Sequence, residues 1–191
     1  MPDNSQDTSK SKSPELLNLI PKRKPLPGED AGQLEDLHTA LLLELAPSTP
    51  LQHVLAEDFF NILCDSLNHR RYHDALIRAG IRQLSQGAFH DGKIGTFDVF
   101  TKNSEAEQLG SDLVGEDKAK QQHALSELTA QGISIDELVA KAYTSVAAPV
   151  ASHEAQIADL ETRRRKLLED YYRQKAAAAK PVEDAVLIEE T

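Results

Sequence analysis

HEAQIADLETRRRKLLEDYYRQ, residues 153–174, is the stretch on which the reading of this chain turns. His153, Ile157, Leu160, Arg164, Leu167, Tyr171 and Gln174 recur at alternating four- and three-residue steps, the spacing of a heptad seam. Side chains at these steps stack on one face of a helix, where a second helix can meet them. Neither proline nor glycine occurs from 150 to 179, so the pattern predicts one helix over that range. Only the middle of the seam is apolar, and Arg164 interrupts it. A lone helix of this kind is marginal in water. The seam needs a partner, and the first one available lies in the same chain.

That partner is a predicted helix over 50–85. Thr49 has the right chemistry for an N-cap, and Pro50 suits the first helical position. The stripe Leu51, Val54, Leu55, Phe59, Ile62, Leu63, Leu67 continues through Tyr72, Leu76 and Ala79. Gly80 costs about 1 kcal/mol in a helix interior, too little to break it. At 1.5 Å per residue the helix is about 50 Å long. The two long helices are expected to pack antiparallel as an all-α helical hairpin.

Shorter helices are expected to cover the rest. Pro27-Gly28-Glu29-Asp30 reads as a turn into a helix over 33–45, whose face carries Leu34, Leu37, Leu41 and Leu45, widened by Leu42 and Leu43. Pro47 should stop it. A helix over 116–130 carries Leu125 and Leu128 and ends at Gly132. Ser134-Ile135-Asp136-Glu137 reads as a capping box for the next helix, with Leu138, Val139, Ala142 and Val146 on it. Pro149 allows a kink or a fresh start. The segment 87–115 breaks the pattern, since GAFHDGKIGTFDVF holds three glycines and alternating apolar residues. It is expected to be an irregular insertion, with a small hairpin and a phenylalanine-plugged loop both open. The composition agrees with a helical fold, because aromatics are only 5% and tryptophan is absent.

One helical domain over 29–179 is expected between a disordered tail, 1–28, and an acidic disordered tail, 180–191. Leu16, Leu17, Leu19 and Ile20 offer a short docking helix within the first tail. Lys22, Arg23 and Lys24 read as solvated tail charges rather than a phosphate contact.

The formal net charge of −10 makes the chain a poor non-specific binder of nucleic acid. The single cysteine, Cys64, excludes an internal disulfide and a cysteine zinc cluster. Its neighbours Ile62, Leu63 and Leu67 mark it as a small core residue. No signal peptide or membrane-spanning run is legible, so a cytoplasmic location is expected. His69 and His73 stand one turn apart, as zinc ligands can, but no third ligand or metalloprotease glutamate accompanies them. No nucleophile elbow, phosphate loop or dinucleotide fingerprint is present. No cofactor, metal or catalytic residue is therefore expected. The candidate partner-binding residues are the basic ones: Arg70 and Arg71 on the first long helix, and Arg163, Arg164, Arg165 and Lys166 on the second. Glu161–Arg165 and Glu169–Arg173 are spaced to pair along the helix. The expected role is a non-enzymatic helical interaction protein that self-associates or takes a protein partner. The competing reading is a nucleic-acid-associated adaptor that places those arginines on phosphates.

Leu26-Pro27-Gly28-Glu29-Asp30, then Leu34 and Leu37, then Glu44-Leu45-Ala46-Pro47 and a helix with paired arginines at 70 and 71 resemble a family of short, uncharacterised bacterial proteins. The stretch Asp159–Glu169 resembles their closing helix, rich in Glu, Arg and Leu. Together these cover under half of the chain. The resemblance implies a helical architecture and a bacterial origin. The basic Gly/Arg/Asn-rich start of such proteins is missing here, and Gly87–Ala148 has no counterpart. Phage small terminase subunits are more loosely similar: short, helical, with a charged last helix.

Overall fold

The computed structural model describes residues 22–91 and 104–179. Among them the fold is all-α, with helices α1 (Ala31–Leu45), α2 (Pro50–Asp91), α3 (Ser104–Leu113), α4 (Lys118–Ala130), α5 (Ile135–Ser145) and α6 (Ala147–Ala178). No helix among the described residues is long and apolar enough to cross a membrane. The described residues divide into two compact units, one from 22–65 with 160–179 and one from 66–91 with 104–159. The sequence reading expects one domain there. Both long helices contribute a stretch to each unit.

In the first unit, Asp30 caps α1 by accepting from the Gln33 N–H at 3.0 Å. The helix ends where Ala46, just before Pro47, takes a left-handed conformation. Thr49 Oγ1 accepts from the Gln52 N–H at 3.2 Å, so the expected cap of α2 is in place. Leu45, Ala56 and Tyr171 form the buried core, with Leu41, Leu42, Leu55 and Leu168 packed against it. Leu43 does not widen this face as expected, because it is 76% exposed. One step from Leu42 turns a side chain about 100° around a helix, which carries Leu43 to solvent. Cys64 is buried, as read.

The second unit has a larger apolar cluster. Ala88, Leu113, Ala124, Leu128, Ile133 and Leu138 are buried together, with Ile81, Leu84, Phe89, Leu109 and Leu125 around them. This cluster explains why α2 runs to Asp91 rather than stopping near 85: its last turns bury Ala88. The segment expected to be irregular is helical at both ends, through α2 and α3. The hairpin and the phenylalanine plug fall on 92–103, outside the described residues. α3 packs on α4, and α4 touches α5. Gly132 takes a left-handed φ of 73° just after α4, a conformation that favours glycine. Ser134 caps α5 by position, but its side chain makes no cap bond, so the expected capping box does not form. α6 starts afresh at Ala147, two residues before Pro149.

The expected docking helix at Leu16–Ile20 and the acidic tail from 180 lie outside the described residues. Lys22–Gly28, read as part of the first tail, are described.

Candidate functional site

The sequence-predicted basic residues fall in different units. In the first unit, Arg163 and Lys166 of α6 line a groove of about 460 Å³ with Asp58, Asn61, Ile62 and Asp65 of α2 and Leu167 and Asp170 of α6. Three carboxylates therefore share this surface with two cations. Arg164 lies half-buried on the seam, while Arg165 is exposed. Arg173 pairs with Asp170 at 3.0 Å rather than with Glu169, a three-residue step instead of the expected four. In the second unit, the Arg71 guanidinium lies 5.3 Å from the centre of the Tyr72 ring. The structure thus brings Arg163 and Lys166 together, and Arg70 and Arg71 take no part in their groove.

Arg23 was read as a solvated tail charge, and the structure corrects that. Its side chain is only 14% exposed, and its fork donates to Asp65 at 2.6 Å and to Glu29 at 2.9 Å. Glu29 in turn accepts from the Leu26 N–H at 2.6 Å. Burial works against the Arg23 charge, but the bonds to Asp65 and Glu29 outweigh it and raise its pKa above the usual value. The same carboxylates act on Cys64. Burial first, and then the charges of Glu29 and Asp65, push its thiol up against the opposing effect of Arg23. Cys64 is thus held as the neutral, poorly nucleophilic thiol. The Arg23 segment also walls a cavity of about 340 Å³ whose other side carries Leu34, His38, Glu57 and Phe60. His38 Nε2 lies 2.8 Å from Glu57 Oε1, and its ring centre is 4.7 Å from that of Phe60.

A second long-range tie closes α1. The Leu45 carbonyl is among the last four of its helix and has no partner within it. It accepts from the Tyr171 hydroxyl at 2.8 Å and from Lys175 Nζ at 2.6 Å. Burial, then the neighbouring Tyr172, raises the Tyr171 hydroxyl pKa, which keeps it a donor.

In the second unit the two histidines singled out as spaced for zinc turn to different partners. His69 Nδ1 lies 2.8 Å from His153 Nδ1, with the Tyr72 ring beside both. His73 faces Asp74 at 3.0 Å and Glu154 at 3.5 Å. Tyr143 donates its hydroxyl to Glu154 at 2.8 Å, and this bond raises the Tyr143 pKa. Among the described residues, no three His, Cys, Asp or Glu side chains converge as a metal site would require. Sequence reasoning placed His153 on the seam but did not foresee His69 as its partner, because 84 positions separate them.

No family model matches the chain, and no match was found among curated proteins or solved structures.

Proposed function

We propose that this is a non-enzymatic helical interaction protein that takes another protein, or a second copy of itself, as partner. The observation that carries the reading is the groove of α2 and α6 in the first unit. Asp58, Asp65 and Asp170 stand there beside Arg163 and Lys166, over the apolar side chains of Ile62 and Leu167. A polyanion would meet three carboxylates among the cations it needs, and each such approach opposes phosphate binding. A protein surface supplies both signs and apolar contact, and charge patterns of mixed sign fix partner and register. The adaptor reading, with a terminase-like role on DNA, is weakened by the same acids.

The seam of α6 is occupied at home. Leu160 and Tyr171 are buried, and His153, Ile157, Arg164 and Leu167 are half-buried. Self-association through an exposed coiled-coil seam therefore gives way to association through the groove. The resemblance to short bacterial proteins and the lone buried thiol support a bacterial cytoplasm as the setting. Light scattering of the full chain over a wide concentration range tests self-association, with Asp58→Lys/Asp170→Lys as the groove variant. A rise in mass that this variant abolishes supports the reading. A monomer throughout leaves a different protein as the partner. Salt-sensitive DNA binding lost in Arg163→Ala/Lys166→Ala would replace the reading with the adaptor role.

A further inference from the structure

Within the second unit, α2 and α6 are joined by an unusual bond, His69 Nδ1 to His153 Nδ1 at 2.8 Å. The ring centres are 5.1 Å apart. The difference between these two distances is about twice the separation of an imidazole centre from its own nitrogen. The two Nδ1 atoms therefore point almost straight at each other, the linear arrangement that hydrogen bonds prefer. Such a bond needs one Nδ1–H donor and one Nδ1 lone pair. It forms when both rings are neutral, and it becomes charge-assisted when one ring carries an extra proton. When both rings are cations, both Nδ1 atoms bear hydrogen, and two like charges face each other with no acceptor between them.

We propose that His69 and His153 form an acid-released clasp between α2 and α6: it holds with no extra proton or with one, and opens when the second arrives. The geometry of the bond sets the sign. Arg71 on α2 lies over the Tyr72 ring that flanks both histidines. His73, also on α2, lies 3.0 Å from Asp74 and 3.5 Å from Glu154. Glu154 on α6 is the nearby carboxylate, and His73 and the Tyr143 hydroxyl of α5 already share it. Tyrosine hydroxyls are neutral across the ordinary histidine range. The closed clasp therefore excludes the state with both rings protonated, which two separated histidines can reach. A state that binds fewer protons loses stability as pH falls through the ordinary histidine range.

The test reads the rings directly, in the full chain labelled with nitrogen-15 at histidine. At neutral pH one of the two rings is expected in the Nδ1–H form and the other in the Nε2–H form. Between about pH 7.5 and about pH 5.5, a window around the ordinary histidine value, the folded pair should take up one proton rather than two. Uptake of the second should coincide with loss of the nuclear Overhauser contact between the rings. In His153→Gln the acid-dependent separation of α2 from α6 should vanish, and if that variant does not fold, the wild-type spectra decide alone. Two Nε2–H rings at neutral pH would overturn the clasp. So would two imidazolium rings that keep their contact.

Discussion

The two units hold themselves together by different means. The first buries a small apolar cluster around Leu45, Ala56 and Tyr171 and adds directional polar ties of long sequence reach: Arg23 to Asp65, and Tyr171 and Lys175 to the Leu45 carbonyl. The second buries six alanine, leucine and isoleucine side chains in one larger cluster, drawn mostly from neighbouring helices, and has its own long-range polar tie, His69 to His153, outside that cluster. Hydrophobic burial is non-directional and scales with area, so it responds to lost volume. A buried hydrogen bond is directional and responds to a lost atom, even when the shape is kept. The second unit should therefore suffer most from changes of size, and the first from changes of polarity at constant size.

The largest expected effect is Leu128→Ala. Leu128 is 1% exposed in the centre of the second cluster. Removing it should cost about 2–5 kcal/mol, the range for a buried leucine whose site cannot fully collapse. Denaturant unfolding of the full chain measures this, and a loss below about 1 kcal/mol would remove the basis of the comparison. Gly110→Ala comes next. A Cβ there would stand 2.7 Å from Gln86 Cγ, 3.0 Å from Ser85 Oγ and 3.1 Å from the Arg82 carbonyl oxygen. The side chains can yield, but the carbonyl belongs to α2 and cannot. The overlap should cost about 1–3 kcal/mol, offset in part by the roughly 1 kcal/mol that alanine gains over glycine in a helix, for a net loss of up to about 2 kcal/mol.

Tyr171→Phe keeps the shape and deletes one oxygen. The Leu45 carbonyl keeps Lys175, so it is not orphaned, and the loss should be about 0.5–1.5 kcal/mol. Cys64 provides a local gauge. It is 1% exposed and held as a thiol, so alkylation should proceed only when the first unit opens. Tyr171→Phe should speed that alkylation by up to roughly tenfold. If Leu128→Ala speeds it as much, the two units open as one and the contrast between them dissolves.

What the sequence made legible follows the same division. Leucine periodicity disclosed the helices, because burial repeats with the helical turn, but it missed the buried face of α2: Gln52, Ala56, Phe60 and Cys64 are buried there, while Leu51, Leu67 and Tyr72 of the expected stripe are exposed. Leu160 and Tyr171, both on the expected seam, are buried, and His153 is half-buried. Periodicity did not disclose where the Tyr171 hydroxyl goes, since Leu45 is 126 positions away and a carbonyl carries no side-chain signature. Arg23 was misread for a related reason. Between two prolines and two lysines it looks like tail, and its partner Asp65 is 42 positions on. The mixed sign of the groove escaped notice too, because Arg163 and Lys166 were read along their own helix, without the aspartates of α2. Periodicity reports on faces, whereas polar pairing across the fold depends on which faces meet.

The smallest effects separate capping by pattern from capping by geometry. Asp117 and Ser134 both stand at helix N-caps in extended conformation. Asp117 accepts from the N–H groups of Ala119 at 3.0 Å and Lys120 at 3.3 Å, whereas Ser134 makes no cap bond with its side chain. Sequence alone favours Ser134, because the Ser-x-x-Glu pattern marks it and nothing comparable marks Asp117. Asp117→Ala should cost about 1 kcal/mol, the usual value of a cap. Ser134→Ala should stay within about 0.5 kcal/mol, as for a surface position without a specific contact. Parallel unfolding curves of the two variants give the difference directly. Equal losses would mean that Ser134 closes its capping box in solution, which would add a further directional tie to the unit with the larger apolar cluster.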